Sequence, residues 1–226
     1  MTSSITSQVM KELSFYGTKI VQKNLAVGPG GNISAREGKT MWISPSGLAL
    51  DEITEDQWVA VDIETGHYQH PTLKPSSEIA MHLYIYRKRP DVNAVVHTHP
   101  PVTIAVISSG YDEIPFMFPD HVALVGKLSS IDYVVPCSEE LAQAVIQSIT
   151  PSSTGLLLKN HGLITIGSTF KQAYYRTELV EDAARVFWMA KLMGTPRILT
   201  GEEAGEILGL EAEKYRQKLL DTKLGG

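Results

Sequence analysis

The chain has a single cysteine, Cys137, among its 226 residues, so no internal disulfide can form, which fits a reducing compartment. No apolar run reaches the length of a membrane span. The opening stretch "MTSSITSQVMKELSFYG" has neither a basic region nor an uninterrupted apolar core of the secretory kind. A cytoplasmic protein with no membrane partner is the expectation. Basic charge is also in short supply, with 20 Lys and Arg against 25 Asp and Glu and a net charge of −5. Phosphate-backbone recognition needs clustered cations, and "YRKRP" at 86–90 is too short to provide them, so no nucleic-acid partner is expected. Repeats, low-complexity tracts and linkers are absent too. What remains is an ordinary globular composition, 43% hydrophobic and 20% charged, in a chain long enough to bury a sizeable core as one domain spanning 1–226.

Periodicity divides the chain into helices and short strands. Ile5, Val9, Leu13, Tyr16, Ile20 and Val21 recur at helical spacing and predict an amphipathic first helix over 5–24. The glycine-rich "LAVGPGGNISAREG" then breaks regular structure before a strand "TMWIS" and the turn "PSG" at 45–47. Thr54 with Gln57 reads as a capping box ahead of the alternating strand "VAVDI", which ends in a turn at Gly66. Ser76 or Ser77 is placed to cap a helix running to about Lys88. A buried strand at 93–97, a helix near 101–109, a loop "GYDEIPFMFPDH" and short strands around 122–125 and 132–135 follow. Ser138 caps a further helix with two acids in its first turn. "GLLLKNHGLITIG" reads as two β segments broken at 160–162, before a long helix at 169–193 and a charged one at about 201–221. Short strands among longer helices define an α/β protein with a layered sheet flanked by helices.

The chemistry centres on "AVVHTHPP" at 94–101. Residues i and i+2 of a strand share a face, so His97 and His99 can aim both imidazoles at one point, as a zinc-type site requires. His161, in the break between two apolar runs where Gly162 eases a turn, is a candidate third imidazole, and Glu78, at the start of a helix after two serines, a candidate carboxylate. Each also has a plain reading. The His pair can end a strand, His161 can be a turn residue, and Glu78 can serve the helix dipole. His67, His70, His82 and His121 read as surface or core residues without a metal role, and Cys137 as a small apolar filler.

The order of motifs adds to this. "GPGGNIS" (28–34), "ISPSG" (43–47), "KPSSE" (74–78), "AVVHTHPP" (94–101) and "LLLKNHGLITIG" (156–167) together resemble the class II aldolase/adducin-head family, most closely its L-fuculose-1-phosphate aldolase branch, over roughly residues 5–195. The resemblance implies a single three-layer α/β/α domain with a central, largely antiparallel sheet. It also implies a homotetramer holding one divalent metal per subunit near a subunit interface, Zn2+ first, with Mn2+, Co2+ or Fe2+ as alternatives. By position, the family's metal ligands match His97, His99, His161 and Glu78, the last also serving as the catalytic acid/base. Its phosphate pocket matches Gly31, Asn32, Ser46, Gly47, Ser76 and Ser77. Backbone N–H groups in glycine turns, serine hydroxyls and a helix N-terminus can hold a phosphate without a lysine. The implied reaction is cleavage of a ketose 1-phosphate, the sugar phosphate being the small-molecule partner, to dihydroxyacetone phosphate and an aldehyde.

Some features depart from that pattern. The loop "IPFMFPDHVAL" has no counterpart of the tyrosine that such aldolases supply from a neighbouring subunit. Asp120, where related pentulose-phosphate epimerases carry an aspartate, and Tyr215, in the last helix, are the candidates for the missing acid. That helix is itself a candidate for packing on a neighbouring subunit. Lys159, beside Asn160, reads as a surface or core-edge residue and not a Schiff-base amine. Decarboxylation of an oxo-acid sugar phosphate and pentulose-phosphate epimerisation are the enzymatic alternatives. A non-enzymatic adducin-like assembly domain is opposed by the intact histidine triad.

Overall fold

The structure is a computed structural model that describes residues 3–221, with side chains from Gln8 onward. The ends of the expected domain, 1–2 and 222–226, and the side chain of Ile5 lie outside the described residues. The helices are α1 (Ser3–Gln22), α2 (Ile79–Lys88), α3 (Pro101–Ile107), α4 (Pro119–Leu124), α5 (Glu139–Ser148), α6 (Phe170–Met193), α7 (Gly201–Gly209) and α8 (Glu211–Asp221). The strands are β1 (Asn32–Glu37), β2 (Thr40–Ile43), β3 (Val59–Asp62), β4 (Tyr68–Gln69), β5 (Ala94–Thr98), β6 (Ser129–Ile131), β7 (Gly155–Leu158) and β8 (Gly162–Gly167). They form one eight-stranded sheet in the order β4-β3-β2-β1-β5-β8-β7-β6. Every neighbouring pair is antiparallel except β6 and β7.

Helices cover both faces of the sheet, giving the three layers. On one face Met41, Val61, Val95, Ile164 and Ile166 pack against Met81, Ile85 and Tyr86 of α2 and Leu141 and Val145 of α5. On the other, Ile33, Ala35, Ala94 and Val96 meet Leu13, Tyr16 and Ile20 of α1 and Phe170, Ala173 and Tyr174 of α6. Strand alternation sorts the residues of β1 and β5 between these two cores. Among the caps, Ser138 accepts from Leu141 N–H, Thr169 from Gln172 N–H and Thr200 from Glu203 N–H.

Several boundaries differ from the expectation. The glycine-rich segment does not exclude regular structure, because β1 begins directly after Gly31, which makes the turn at φ 73°. Residues 122–125 are not a strand but belong mostly to α4, whose first helical residue is Pro119, where a missing N–H costs nothing. The strand placed at 132–135 lies instead at β6. Neither Ser76 nor Ser77 is the N-cap of α2; Glu78 holds that position, and the Ser76 hydroxyl accepts from the Glu78 N–H. The helix at 201–221 is two, broken at Leu210, whose backbone is extended. α8 contacts α4 of the same chain. Arg216 pairs with Asp120 at 2.9 Å, and Gln217 donates to the Ala123 carbonyl.

His121 is buried against Phe116 and Phe118, and burial pushes its imidazole down to about 4. The unfolded chain therefore takes up a proton below about 6.5 that the folded chain refuses, so the folded state loses stability as pH falls through the window from about 6.5 to about 4, at up to roughly 1.4 kcal/mol per pH unit. Urea unfolding at pH 7 and pH 5 should show a smaller acid loss for His121→Phe than for the unmodified chain. Equal losses would mean that this ring titrates alike in both states.

Candidate active site

The site is assembled by strand direction. β5 lies between β1 and β8 and runs antiparallel to both, so the end of β5 meets the beginnings of its two neighbours: Asn32 is opposite His97, and Leu163 opposite Thr98. His97 is the fourth residue of β5 and points toward the α2 layer; His99 follows the strand and is anchored by its N–H donating to the Leu25 carbonyl at 2.9 Å. His161 sits in the tight connection from β7 to β8, where Asn160 takes φ 54°. The turn is therefore made by Asn160 and not by Gly162. Gly162 is needed for another reason: a Cβ there would stand 2.4 Å from the Thr98 carbonyl oxygen, 2.9 Å from the His99 ring and 3.2 Å from the His97 ring.

The ligand atoms of His97, His99 and His161 all lie within 4.8 Å of one another. Glu78 reaches the same point from the α2 N-terminus, with Oε2 3.1 Å from His97 Nε2 and Oε1 3.4 Å from His161 Nε2. The His97 Nδ1–H donates to the Leu163 carbonyl at 3.1 Å, which leaves Nε2 as a bare lone pair facing the carboxylate and, at 3.2 Å, His99 Nε2. Glu78 Oε1 is buried without a hydrogen-bond partner. A bare imidazole lone pair facing a carboxylate suits a cation, and three imidazoles with one carboxylate match the donor set of a divalent metal.

Electrostatics agree. Burial pushes His99 and His161 down to about 4, reinforced by the neighbouring His97, so both rings are neutral ligands at pH 7. Burial works to raise the Glu78 carboxyl but is outweighed by polar contacts, the Asn32 amide donating to Oε2 among them, which leave it well below the usual carboxylate range. Behind the histidines, Glu181 of α6 accepts from the N–H groups of Val102 and Thr103 and from the Thr103 hydroxyl, capping α3 directly after the His97–His99 segment.

Of the residues expected to hold phosphate, Ser46, Gly47, Ser76 and Ser77 lie on two adjoining loops, and Gly31 and Asn32 at the start of β1. Ser46 N–H donates to the Lys74 carbonyl, Ser76 N–H donates to the Ser44 carbonyl, and Pro45 and Pro75 form a bridge, which zips 44–46 to 74–76. Ser46, Gly47 and Ser77 are exposed, while Ser76 is buried beside Glu78. Gly31 has no room for a side chain, since a Cβ would lie 2.9 Å from the His97 carbonyl oxygen. Asn32 is buried, and its amide is engaged on both sides: Nδ2 donates to Glu78 Oε2 at 2.9 Å, and Oδ1 is 2.6 Å from His82 Nε2.

Other residues stand apart. Asp120 is paired with Arg216, and Tyr215 is exposed. Lys159 bridges Asp112 and Asp132, which push its ammonium up to about 12, so it is a surface cation as expected. Cys137 is exposed and not an apolar filler, and its thiol lies 3.1 Å from the Ser77 hydroxyl. His82 was passed over as a core residue, although its spacing of four from Glu78 on a helix was the available signal.

Residues 11–188 match the Class II Aldolase and Adducin N-terminal domain. An L-fuculose phosphate aldolase of Methanococcus maripaludis is 36% identical over 74% of this chain and 89% of its own length. A 5-deoxy-D-ribulose 1-phosphate aldolase of Bacillus thuringiensis is 35% identical over 92% of this chain and 97% of its own. Among solved structures, an L-fuculose 1-phosphate aldolase superposes with a TM-score of 0.82 at 29% identity, covering 92% of this chain and 96% of that one. The chain belongs to the class II aldolase and adducin family, whose aldolases are metal-dependent lyases. Both of these nearly full-length matches are named as sugar-phosphate aldolases.

Gly162→Ala should displace the His97 and His99 rings and weaken metal binding by about 10- to 100-fold. Calorimetric titration of the metal-stripped protein with Zn2+ checks this, and an unchanged affinity would show that the rings tolerate the added methyl group.

Proposed function

We propose that this protein is a metal-dependent aldolase that cleaves a ketose 1-phosphate, of the L-fuculose or 5-deoxyribulose kind, to dihydroxyacetone phosphate and an aldehyde. The observation that carries the reading is the convergence of the Glu78 carboxylate on the lone pairs of His97, His99 and His161, beside the zipped serine loops. The names of relatives that align over most of the chain support the substrate class.

His97, His99, His161 and Glu78 would hold the ion, Zn2+ first, with Mn2+, Co2+ and Fe2+ as alternatives. A divalent ion there supplies Lewis acidity toward the ketose carbonyl and the charge that opposes the developing enediolate. The remaining steps belong to the protein. Ser46, Ser76 and Ser77 hydroxyls, the Gly31 and Gly47 backbone and the second amide hydrogen of Asn32 grip the phosphate. That grip fixes the C3–C4 bond relative to Glu78, which returns a proton to C3 after cleavage. Asp120 and Tyr215 are retained as candidates for the group that takes the C4 hydroxyl proton as the C3–C4 bond breaks and acts as the acid in the reverse direction. A homotetramer with sites near its interfaces, in the cytoplasm, completes the reading. Among the described residues no helix is long and apolar enough to cross a membrane.

The test is release of dihydroxyacetone phosphate from a panel of ketose 1-phosphates by metal-replete protein. Release should be abolished by chelator and reduced at least about 100-fold in Glu78→Gln. A name of the 3-oxo-tetronate 4-phosphate decarboxylase kind also occurs among the relatives. Carbon dioxide release from an oxo-acid sugar phosphate, with none of the ketoses cleaved, would replace the aldolase reading by that one. In Asp120→Asn, lost cleavage with retained deuterium exchange at C3 of dihydroxyacetone phosphate would assign the aldehyde-end acid, whereas unchanged cleavage would remove Asp120 from that role.

A further inference from the structure

Behind Glu78 runs a buried chain of polar side chains that the family motifs do not account for. On one side, β1 presents Asn32, Ser34 and Arg36, alternate residues that share a face. On the other, Glu78, His82 and Tyr86 stand at i, i+4 and i+8 along α2. Two strand residues advance about 6.8 Å and four helical residues about 6 Å, so the two rows stay in step. Asn32 meets Glu78 and His82, Ser34 meets His82 at 2.7 Å and Tyr86 at 2.9 Å, and the Arg36 guanidinium lies 4.8 Å from the Tyr86 ring centroid. His82 and Ser34 have no exposure at all.

Donor and acceptor chemistry gives this chain one direction. An ionised carboxylate only accepts, so the Asn32 atom facing Glu78 is the amide nitrogen, and its oxygen faces His82. The oxygen only accepts, so His82 carries its proton on Nε2. Nδ1 is then bare and takes the Ser34 hydroxyl proton, while the Tyr86 hydroxyl lies 2.9 Å from Ser34 Oγ and donates to the Ser34 carbonyl at 3.0 Å. From Ser34 to Glu78 every hydrogen points toward the carboxylate.

We propose that His82 is a positioning residue for the proton-transferring carboxylate: held in its Nε2–H form between the Asn32 amide oxygen and the Ser34 hydroxyl, it orients the Asn32 amide to pin Glu78 Oε2, leaving Oε1 as the oxygen that carries the proton. This rests on the reading of Glu78 as metal ligand and acid/base. Replacing a purely structural histidine would leave the proton transfer at C3 unchanged in a folded, metal-loaded protein.

Two measurements on the full-length, metal-loaded protein test it. Nitrogen NMR of histidine-labelled protein should show His82 with Nε2 protonated and Nδ1 bare; the opposite tautomer or a cationic ring overturns the proposal. Solvent deuterium exchange into dihydroxyacetone phosphate reads the proton transfer apart from carbon–carbon cleavage. His82→Phe at matched metal content should slow exchange and kcat together by about 10- to 100-fold with little change in KM, and His82→Gln, which keeps a donor toward Asn32, should recover most of the loss. Should His82→Phe fail to fold, Ser34→Ala, which removes the donor to His82 Nδ1, should loosen the ring and slow exchange with little change in KM. A raised KM with unchanged kcat, or equal losses in the Phe and Gln variants, overturns the proposal. The expected tautomer in an unmodified protein that exchanges no deuterium would instead uphold the polarity of the chain and sink the role given to Glu78.

Discussion

Everything about this molecule turns on forcing four electron-rich groups together. Three imidazoles and a carboxylate, with their lone pairs within a few ångströms and no proton between His97 Nε2 and Glu78 Oε2, repel one another unless a cation stands among them. A flexible chain would relax by turning them outward. The fold prevents this by placing each on an element whose position is set by burial elsewhere.

Three kinds of support serve that end. The antiparallel register of β1, β5 and β8 brings Asn32, His97 and the β8 entry to one edge, so the geometry inherits the stiffness of a sheet packed on both faces. Absent side chains matter as much as present ones, since Gly162 and Gly31 let backbone approach the His97 segment where a methyl group would collide. Buried acceptors and donors then set orientation: the Leu163 carbonyl fixes the His97 tautomer, Glu181 caps the helix behind His99, and Asn32 holds Glu78.

The division of charge follows from the same constraint. Lys159 is tied up between Asp112 and Asp132, and the serine loops offer hydroxyls and N–H groups in place of ammonium. In a site arranged in this way a bound cation would be the dominant local charge, and the loops offer an anion neutral donors that do not compete for the Glu78 carboxylate.

Local pattern made much of this legible. The two-residue spacing of His97 and His99, the break at Asn160–His161–Gly162 and the order of the glycine, serine and histidine motifs marked the site and the family, because same-face spacing and turn chemistry are properties of the chain itself. The layered α/β class was legible for the same reason. The glycine-rich lead into β1 and the short helix after Phe118 were not, since pairing with β5 and packing beneath α7 and α8 outweighed weak local preference. The sequence by itself determined which residues had the chemistry. Tertiary structure alone decided that His82 and Ser34 stand behind Asn32, that Gly162 is required by neighbouring rings and not by its own backbone angles, and that Asp120 is paired with Arg216. Those facts depend on contacts between residues far apart in the chain, which no window of sequence contains.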